Sequence, residues 1–336
     1  MSKNIGSNDP LFQQLESIAS GYRAAQVLFT ANRLGLFDAL SEKERTVEEL
    51  SKILNADLRG VTILCNALAG LDLINKRGNV CRLSALSRKY LLKDSPRSQQ
   101  AILLHNAALY EKWGRLYDVV KTGKPVSYQS ISPELRGDEQ SFARAMASAA
   151  AFASEETVKA IDLRNVKTIL DIGGGPGIYA IEFAKQKPDI KVTIIDNAKT
   201  LETARENVKK AGLIERIELR PGDALVDDLG GTYNLVFMSN VIHQYSSDQN
   251  SELIKRASAV LTCNGRMCIK DFLLNPCRTK PVKASLFAVN MLVNTEHGNC
   301  YTVDDVKQWI KAAGLKLSRV ITLSDPSKML IGKKGK

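Results

Sequence analysis

The stretch Thr168-Ile-Leu-Asp-Ile-Gly-Gly-Gly-Pro-Gly-Ile178 constrains this chain more than any other. A short β-branched apolar run contains an acid, a glycine cluster follows, and a helix-like segment begins at Tyr179. A strand that turns tightly into a helix N-terminus is where an α/β sheet binds a nucleotide-like ligand. A dinucleotide fingerprint, G-x-G-x-x-G/A, asks for a small residue where this chain has Ile178. The small residues fall instead at Gly173, Gly175 and Gly177, with Asp171 just before them. Such glycines let the backbone come close to a ligand, although a glycine-rich turn by itself is also an ordinary structural device.

From Val166 onward, strands alternate with helices, the signature of a parallel sheet. The spacing predicts strands at Thr168–Ile172, Val192–Asp196, Ile217–Arg220, Asn234–Met238 and Met267–Phe272. Two more, Leu317–Leu323 and Lys328–Ile331, are joined only by Ser324-Asp-Pro-Ser327, too short a link to cross over, so they are antiparallel. The second strand ends in Asp196, about 20 residues beyond the glycine turn, where such folds place a carboxylate for ribose hydroxyls. Asp196 is also readable as the cap of a helix starting at Ala198, with Asn197 beside it. The third strand leads to Arg220-Pro-Gly-Asp-Ala224, and the fourth to Phe237-Met-Ser-Asn-Val-Ile-His-Gln-Tyr245.

The N-terminal third has a different pattern. Residues 11–40 read as helical, and Thr46 and Glu49 are spaced as a capping box. A second amphipathic helix spans Asp57–Leu71, and Leu73–Leu83 forms two short strands around an Arg-Gly-Asn turn. Helix, helix and hairpin make a winged-helix arrangement. Its groove-reading helix would carry the lone Arg59 among Val61, Ile63, Leu64, Leu68 and Leu71, a face made for packing and not for bases. Residues 99–161 are helical again, interrupted between Gly123 and Gly137, with Phe142 and Met146 among their apolar positions.

Composition narrows the class. The net charge of +11 invites a nucleic-acid reading, but Lys and Arg are dispersed among acids except in the tail Gly332-Lys-Lys-Gly-Lys336. No apolar run approaches a membrane span, and the polar start lacks a signal-peptide core. Six cysteines without a C-x-x-C pair point to a reducing cytoplasm, with neither a disulfide framework nor a metal site.

The pattern D-x-G-x-G-x-G resembles the first motif of class I S-adenosylmethionine (SAM)-dependent methyltransferases. Over nearly its whole length the chain resembles the O-methyltransferases that include caffeate-type plant enzymes, hydroxyindole O-methyltransferase and bacterial antibiotic-tailoring enzymes. The resemblance implies an α/β fold, with a Rossmann-like seven-stranded class I methyltransferase sheet at 161–336. It also implies a mostly helical winged-helix dimerisation domain at 11–98 and a helical linker at 99–160 that contributes to the substrate pocket. The cofactor is then SAM. Asp171 and the three glycines meet its methionyl end, Asp196 and Asn197 its ribose, and Asp223 with Ala224 its adenine. Ser239 faces the methyl donor. In the family motif L-H-D-W the histidine is the general base, and Ile242-His243-Gln244-Tyr245 stands there, with Asp271 matching the carboxylate that orients it. Gln244 and Tyr245 depart from the Asp-Trp pair, and Cys300 occupies the place of a second acid. His105 and His297 are bystanders, His297 close enough to the expected pocket to be a substitute. Phe287, Asn290 and Met291, at i, i+3 and i+4 of a helix that lines the acceptor pocket in the family, share one face, and core packing explains them equally well.

The expected protein is a cytoplasmic homodimer that O-methylates a hydroxylated aromatic or polyketide-like small molecule. It binds neither nucleic acid nor membrane. Two other readings remain at this point: transfer to carbon, nitrogen or sulfur, with the cysteines leaving even a soft-metalloid acceptor open, and a winged-helix regulator that senses SAM or a metabolite.

Overall fold

A computed structural model describes residues 9–335. The chain divides into two compact units, the first ending at Ala107 and the second starting at Ala108.

The first unit contains α1 (Pro10–Ser20), α2 (Tyr22–Arg33), α3 (Leu36–Ala39), β1 (Arg45–Thr46), α4 (Val47–Ile53), α5 (Leu58–Gly70), β2 (Ile74–Arg77), β3 (Val80–Leu83) and α6 (Ala85–Tyr90); α7 (Gln100–Trp113) spans the boundary. The helix expected across 11–40 is three helices. Its breaks fall at Gly21 and at Gly35, whose φ of 73° is left-handed. The Thr46–Glu49 capping box forms and starts α4, and Asp57 caps α5 by accepting from Gly60 N. The expected hairpin forms between β2 and β3, and β1 pairs with β3 as a third antiparallel strand. Leu36, Phe37, Leu50, Val61, Cys65 and Leu68 fill the core. By contrast α1 buries none of its residues, and Leu11, Leu15 and Ile18 are 75%, 63% and 73% exposed.

In the second unit α8 (Leu116–Thr122) and α9 (Glu139–Lys159) precede β4 (Thr168–Ile172), α10 (Ile178–Gln186), β5 (Lys191–Asp196), α11 (Ala198–Lys210), β6 (Ile217–Pro221) and β7 (Tyr233–Ser239). Then come α12 (Ser247–Ala259), β8 (Leu261–Asp271), α13 (Val282–Asn294), α14 (Val303–Ala312), β9 (Leu315–Thr322) and β10 (Lys328–Lys334). The seven strands lie in the order β6-β5-β4-β7-β8-β10-β9. Five are parallel, and β10 inserts antiparallel between β8 and β9. Beyond β4 the chain first builds outward through β5 and β6, then returns to the other side with β7. The strand order therefore reverses at β4/β7, and ligands of open α/β sheets bind at the carboxyl ends of the strands beside such a reversal. Asp171, Asp196, Ser239 and Asp271 all lie at or near those ends. One buried cluster packs α10 and α11 on one face of the sheet, and a second packs α12 and α14 on the other.

Strand β8 starts at Leu261, six residues before the sequence pattern suggests. Thr262-Cys-Asn-Gly reads as a turn, and locally it is one: Asn264 has φ 61°, and pairing with β7 jumps from Leu261 to Arg266.

Candidate active site

The glycine turn is built by contact. Gly173, Gly175 and Gly177 all have positive φ, and a Cβ on Gly173 would meet Val241 Cγ2 at 2.7 Å. The tightest position is one the motif reading passed over. A Cβ on Gly174 would sit 2.7 Å from Asp171 Oδ2 and 2.8 Å from Ile194 Cγ2. Its φ is ordinary, so only the fold reveals why no side chain fits. Asp171 is 1% exposed, and its Oδ2 has no hydrogen-bond partner among the described residues. Burial, with the charge of Asp196 adding to it, pushes the Asp171 carboxyl well above the usual aspartate range. A buried acceptor left open beside a glycine turn fits a ligand that brings a cationic donor.

Asp196 faces the same turn. Its Oδ2 accepts from Gly175 N at 2.8 Å, and its Oδ1 accepts from Asn197 N at 2.7 Å and Asn197 Nδ2 at 3.0 Å. Burial raises its pKa, and the two backbone N–H groups oppose that rise. The helix-cap reading of Asp196 is overturned: Asn197 caps α11 by accepting from Thr200 N at 2.9 Å, which frees Asp196 for the glycine turn. Asp223 is exposed after β6 and accepts from Leu225 N at 2.9 Å; Ala224 beside it is buried. Ser239 ends β7 with its hydroxyl donating to Asn240 Oδ1 at 3.1 Å. Tyr245 belongs to this group although the sequence marked it only as a departure. Burial first, and then the charges of Asp223 and Asp196, raise its phenol pKa.

His243 lies in a 3₁₀ turn, Ile242–Gln244, after β7, and Asp271 ends β8. Parallel pairing of Ser239 with Lys270 brings the two chain segments together. His243 Nδ1 is 2.9 Å from Asp271 Oδ1 and 3.1 Å from Oδ2, with His243 7% and Asp271 1% exposed. Asp271 also accepts from Phe272 N at 2.8 Å. An ionised carboxylate only accepts, which assigns the proton of the neutral ring to Nδ1 and leaves Nε2 with its lone pair. Phe287 meets the imidazole edge to face at 4.9 Å. Cys300 is fully buried, and burial followed by the charge of Asp271 pushes its thiol up to about 12. It is a neutral group near Asp271, not a second carboxylate. His297 has a 61% exposed side chain, and its nearest ion-pair partner is Glu296 at 4.0 Å. His105 belongs to the other compact unit.

On α13, Phe287 and Asn290 are half-buried and Met291 is buried. Asn290 Oδ1 accepts from Trp113 Nε1 at 3.0 Å and from Asn294 Nδ2 at 3.1 Å. Phe142 and Met146 stand on a separate helix, α9, which packs against α10 and α11.

Family models match both parts of the chain: an O-methyltransferase domain over residues 110–316 and an O-methyltransferase dimerisation domain over residues 16–93. The chain is 27% identical over 318 residues to 3-hydroxy-5-methyl-1-naphthoate 3-O-methyltransferase of Streptomyces sahachiroi, covering 93% of this chain and 92% of that one. It is 28% identical over 307 residues to human acetylserotonin O-methyltransferase, covering 86% and 88%. The crystal structure of human N-acetylserotonin methyltransferase in complex with SAM superposes with a TM-score of 0.88 at 26% identity, covering 99% of this chain and all of that one. The chain belongs to the SAM-dependent O-methyltransferases of small molecules, with the class I methyltransferase fold.

Proposed function

We propose that the protein methylates a hydroxyl group on an aromatic or polyketide-like small molecule, with His243 as the general base. The observation that carries this reading is the buried His243–Asp271 pair, 2.9 Å apart at Nδ1. A phenol is a weak nucleophile until its proton leaves, and a histidine with a free Nε2 is suited to take it. Asp271 holds the ring in one tautomer and favours the imidazolium that forms. SAM, when bound, supplies a methyl group on a sulfonium, already activated for displacement. Asp171, with a buried unpartnered oxygen behind Gly174, would favour the ammonium through its charge. Asp196 and Asn197 serve the ribose, and Asp223 with Ala224 the adenine. Tyr245 lines the same end, and Ser239 the edge beside the methyl group. Phe287, Asn290 and Met291 form one wall for the acceptor, and Phe142 and Met146 on α9 another. Incubating the protein with SAM and either N-acetylserotonin or 3-hydroxy-5-methyl-1-naphthoate, followed by mass spectrometry, tests the acceptor class. A singly methylated product supports it, and transfer only to non-hydroxylated analogues contradicts it.

Asp196→Ala should weaken SAM affinity by about 1–3 kcal/mol through lost charge-assisted hydrogen bonds. Calorimetry showing unchanged affinity would remove Asp196 from the site.

The raised carboxyls set a pH dependence. Asp171 and Asp196 keep their protons to higher pH when folded than when unfolded. The folded state therefore binds more protons, and stability falls as pH rises from the unfolded aspartate value, about 3.9, through the folded ones. A ligand ammonium offsets that loss only once the carboxyls are charged. The rise in Tm with saturating S-adenosylhomocysteine should be larger at pH about 7 than near pH about 4.5. An equal rise at both would contradict the assignment of Asp171.

Residues 11–98 act, in this reading, as a winged-helix dimerisation domain, 99–160 as the linker and 161–336 as the SAM-binding domain of a cytoplasmic homodimer. The unburied apolar face of α1 supports a second copy as its cover. Sedimentation should show a dimer, and removal of residues 1–95 should give a monomeric or insoluble product. A stable, active monomer of the full chain would refute this.

A further inference from the structure

Asp271 fixes the His243 ring, but the backbone of its turn is fixed by residues outside the chemistry described above. Asn250 on α12 is fully buried. Its Nδ2 donates to Ile242 O at 2.8 Å and to Tyr245 O at 3.3 Å, the carbonyls on either side of His243-Gln244. The Tyr301 hydroxyl donates to the same Tyr245 carbonyl at 2.5 Å. Its ring is set by edge-to-face packing on Trp309 at 4.8 Å. From the segment after α13, Asn299 N donates to the carbonyl of His243 itself at 2.9 Å. Gly298 lies so close that a Cβ there would be 2.6 Å from that carbonyl oxygen.

A single 3₁₀ turn has poor internal hydrogen bonds and takes its geometry from its surroundings. Asn250 is also a costly residue to bury, because its Oδ1 has no partner among the described residues. A leucine of similar volume would avoid that cost. What the amide supplies in return is the pair of bonds to the turn.

We propose that Asn250 and Tyr301 are positioning residues that hold the His243 turn so that Nε2 keeps one direction. This rests on the reading of His243 as the base. Residues 298–301 follow α13 after three intervening residues, and Phe287 of that helix touches the imidazole. The acceptor-side helix and the base are thereby set by one stretch of chain. Asn250 and Tyr301 touch no reacting atom and act through the turn that carries His243, by way of the Ile242 and Tyr245 carbonyls.

Double-mutant analysis separates this from general stabilisation. Tyr301→Phe and Asn250→Leu are each made in the wild-type chain and in His243→Ala, and turnover is measured with N-acetylserotonin or 3-hydroxy-5-methyl-1-naphthoate. In the wild-type chain each should lower kcat roughly tenfold or more with KM little changed, as small misplacements of a catalytic group do. In the His243→Ala chain each should change the residual rate less than about twofold, because the group they position is gone. Equal fold losses in both backgrounds would overturn the proposal and leave the base reading intact. Near-normal turnover of His243→Ala alone would overturn the base reading and the proposal with it. A second readout needs no acceptor. The chain has three histidines, so single substitutions assign their side-chain nitrogen resonances. His243 should show one tautomer in the wild-type chain, and broadened or mixed signals in the variants. Unchanged signals in both variants would overturn the proposal. Should Asn250→Leu fail to fold, Tyr301→Phe, which deletes one hydroxyl, carries both measurements.

Discussion

His243→Ala should lower turnover roughly 100- to 10,000-fold while leaving affinity for S-adenosylhomocysteine nearly unchanged. Affinity is spared because the acids assigned to SAM lie elsewhere on the sheet edge: Asp196 bonds the glycine turn and Asn197, while His243 bonds Asp271. Turnover falls because, among the described residues, neither of the two nearest substitutes stands ready to take the proton. Cys300 is held neutral, and His297 points into solvent with Glu296. Asp271→Asn should cost less, since an amide oxygen still accepts the Nδ1 proton and only the charge is lost. Steady-state kinetics and calorimetry on the same preparations check both halves. Near-normal turnover would remove His243 as the base and point to an acceptor that is nucleophilic without one.

Gly174→Val should have the second largest effect, a loss of S-adenosylhomocysteine affinity of roughly 100-fold, equivalent to about 2.7 kcal/mol. The new Cβ would lie 2.7 Å from Asp171 Oδ2, 2.8 Å from Asp171 Cγ and 2.8 Å from Ile194 Cγ2. Asp171 is 1% and Ile194 0% exposed, so neither has room to retreat. Overpacking of this kind shifts backbone at a cost of about 1–3 kcal/mol, and here the backbone that shifts is the cradle itself. Gly70→Ala supplies the contrast. It sits at the last turn of α5 with nothing within 4 Å of an added Cβ, so stability should hold or rise by up to about 1 kcal/mol, with binding unaffected. Calorimetry and thermal unfolding of the two variants decide the matter. A Gly174→Val protein that binds like wild type would show that the turn does not serve the cofactor.

The sequence carried the parts of this account that depend on local pattern. Alternating β-branched runs located all seven strands, the four-residue link forced the last two antiparallel, and the Thr46–Glu49 spacing located the start of α4. His243 and Asp271 were legible because a motif at a fixed offset from two strand ends suffices to place them. What stayed hidden depends on approach between distant residues. Gly174 has an ordinary φ, and its constraint comes from Asp171 and Ile194 leaning over it. Asp196 and Asn197 are equally good caps on paper. The hydrogen bond from Gly175 N decides which of them turns to the site. Tyr245 and Asn250 look like ordinary residues in a polar stretch until the turn around His243 folds back on them. The early start of β8 was masked by Asn264-Gly265, which interrupts the pairing without ending the strand.

The central claim is that a hydroxyl oxygen, freed of its proton by His243, receives the methyl group of SAM. SAM carrying a ¹³C-labelled methyl group, supplied to the wild-type and His243→Ala proteins with a hydroxylated aromatic acceptor, tests it most directly. Carbon NMR of the product should place the label in a methoxy group for the wild type, with product from the His243 variant reduced in proportion to its lost turnover. Label on carbon, nitrogen or sulfur, or equal methoxy product from both proteins, would contradict it.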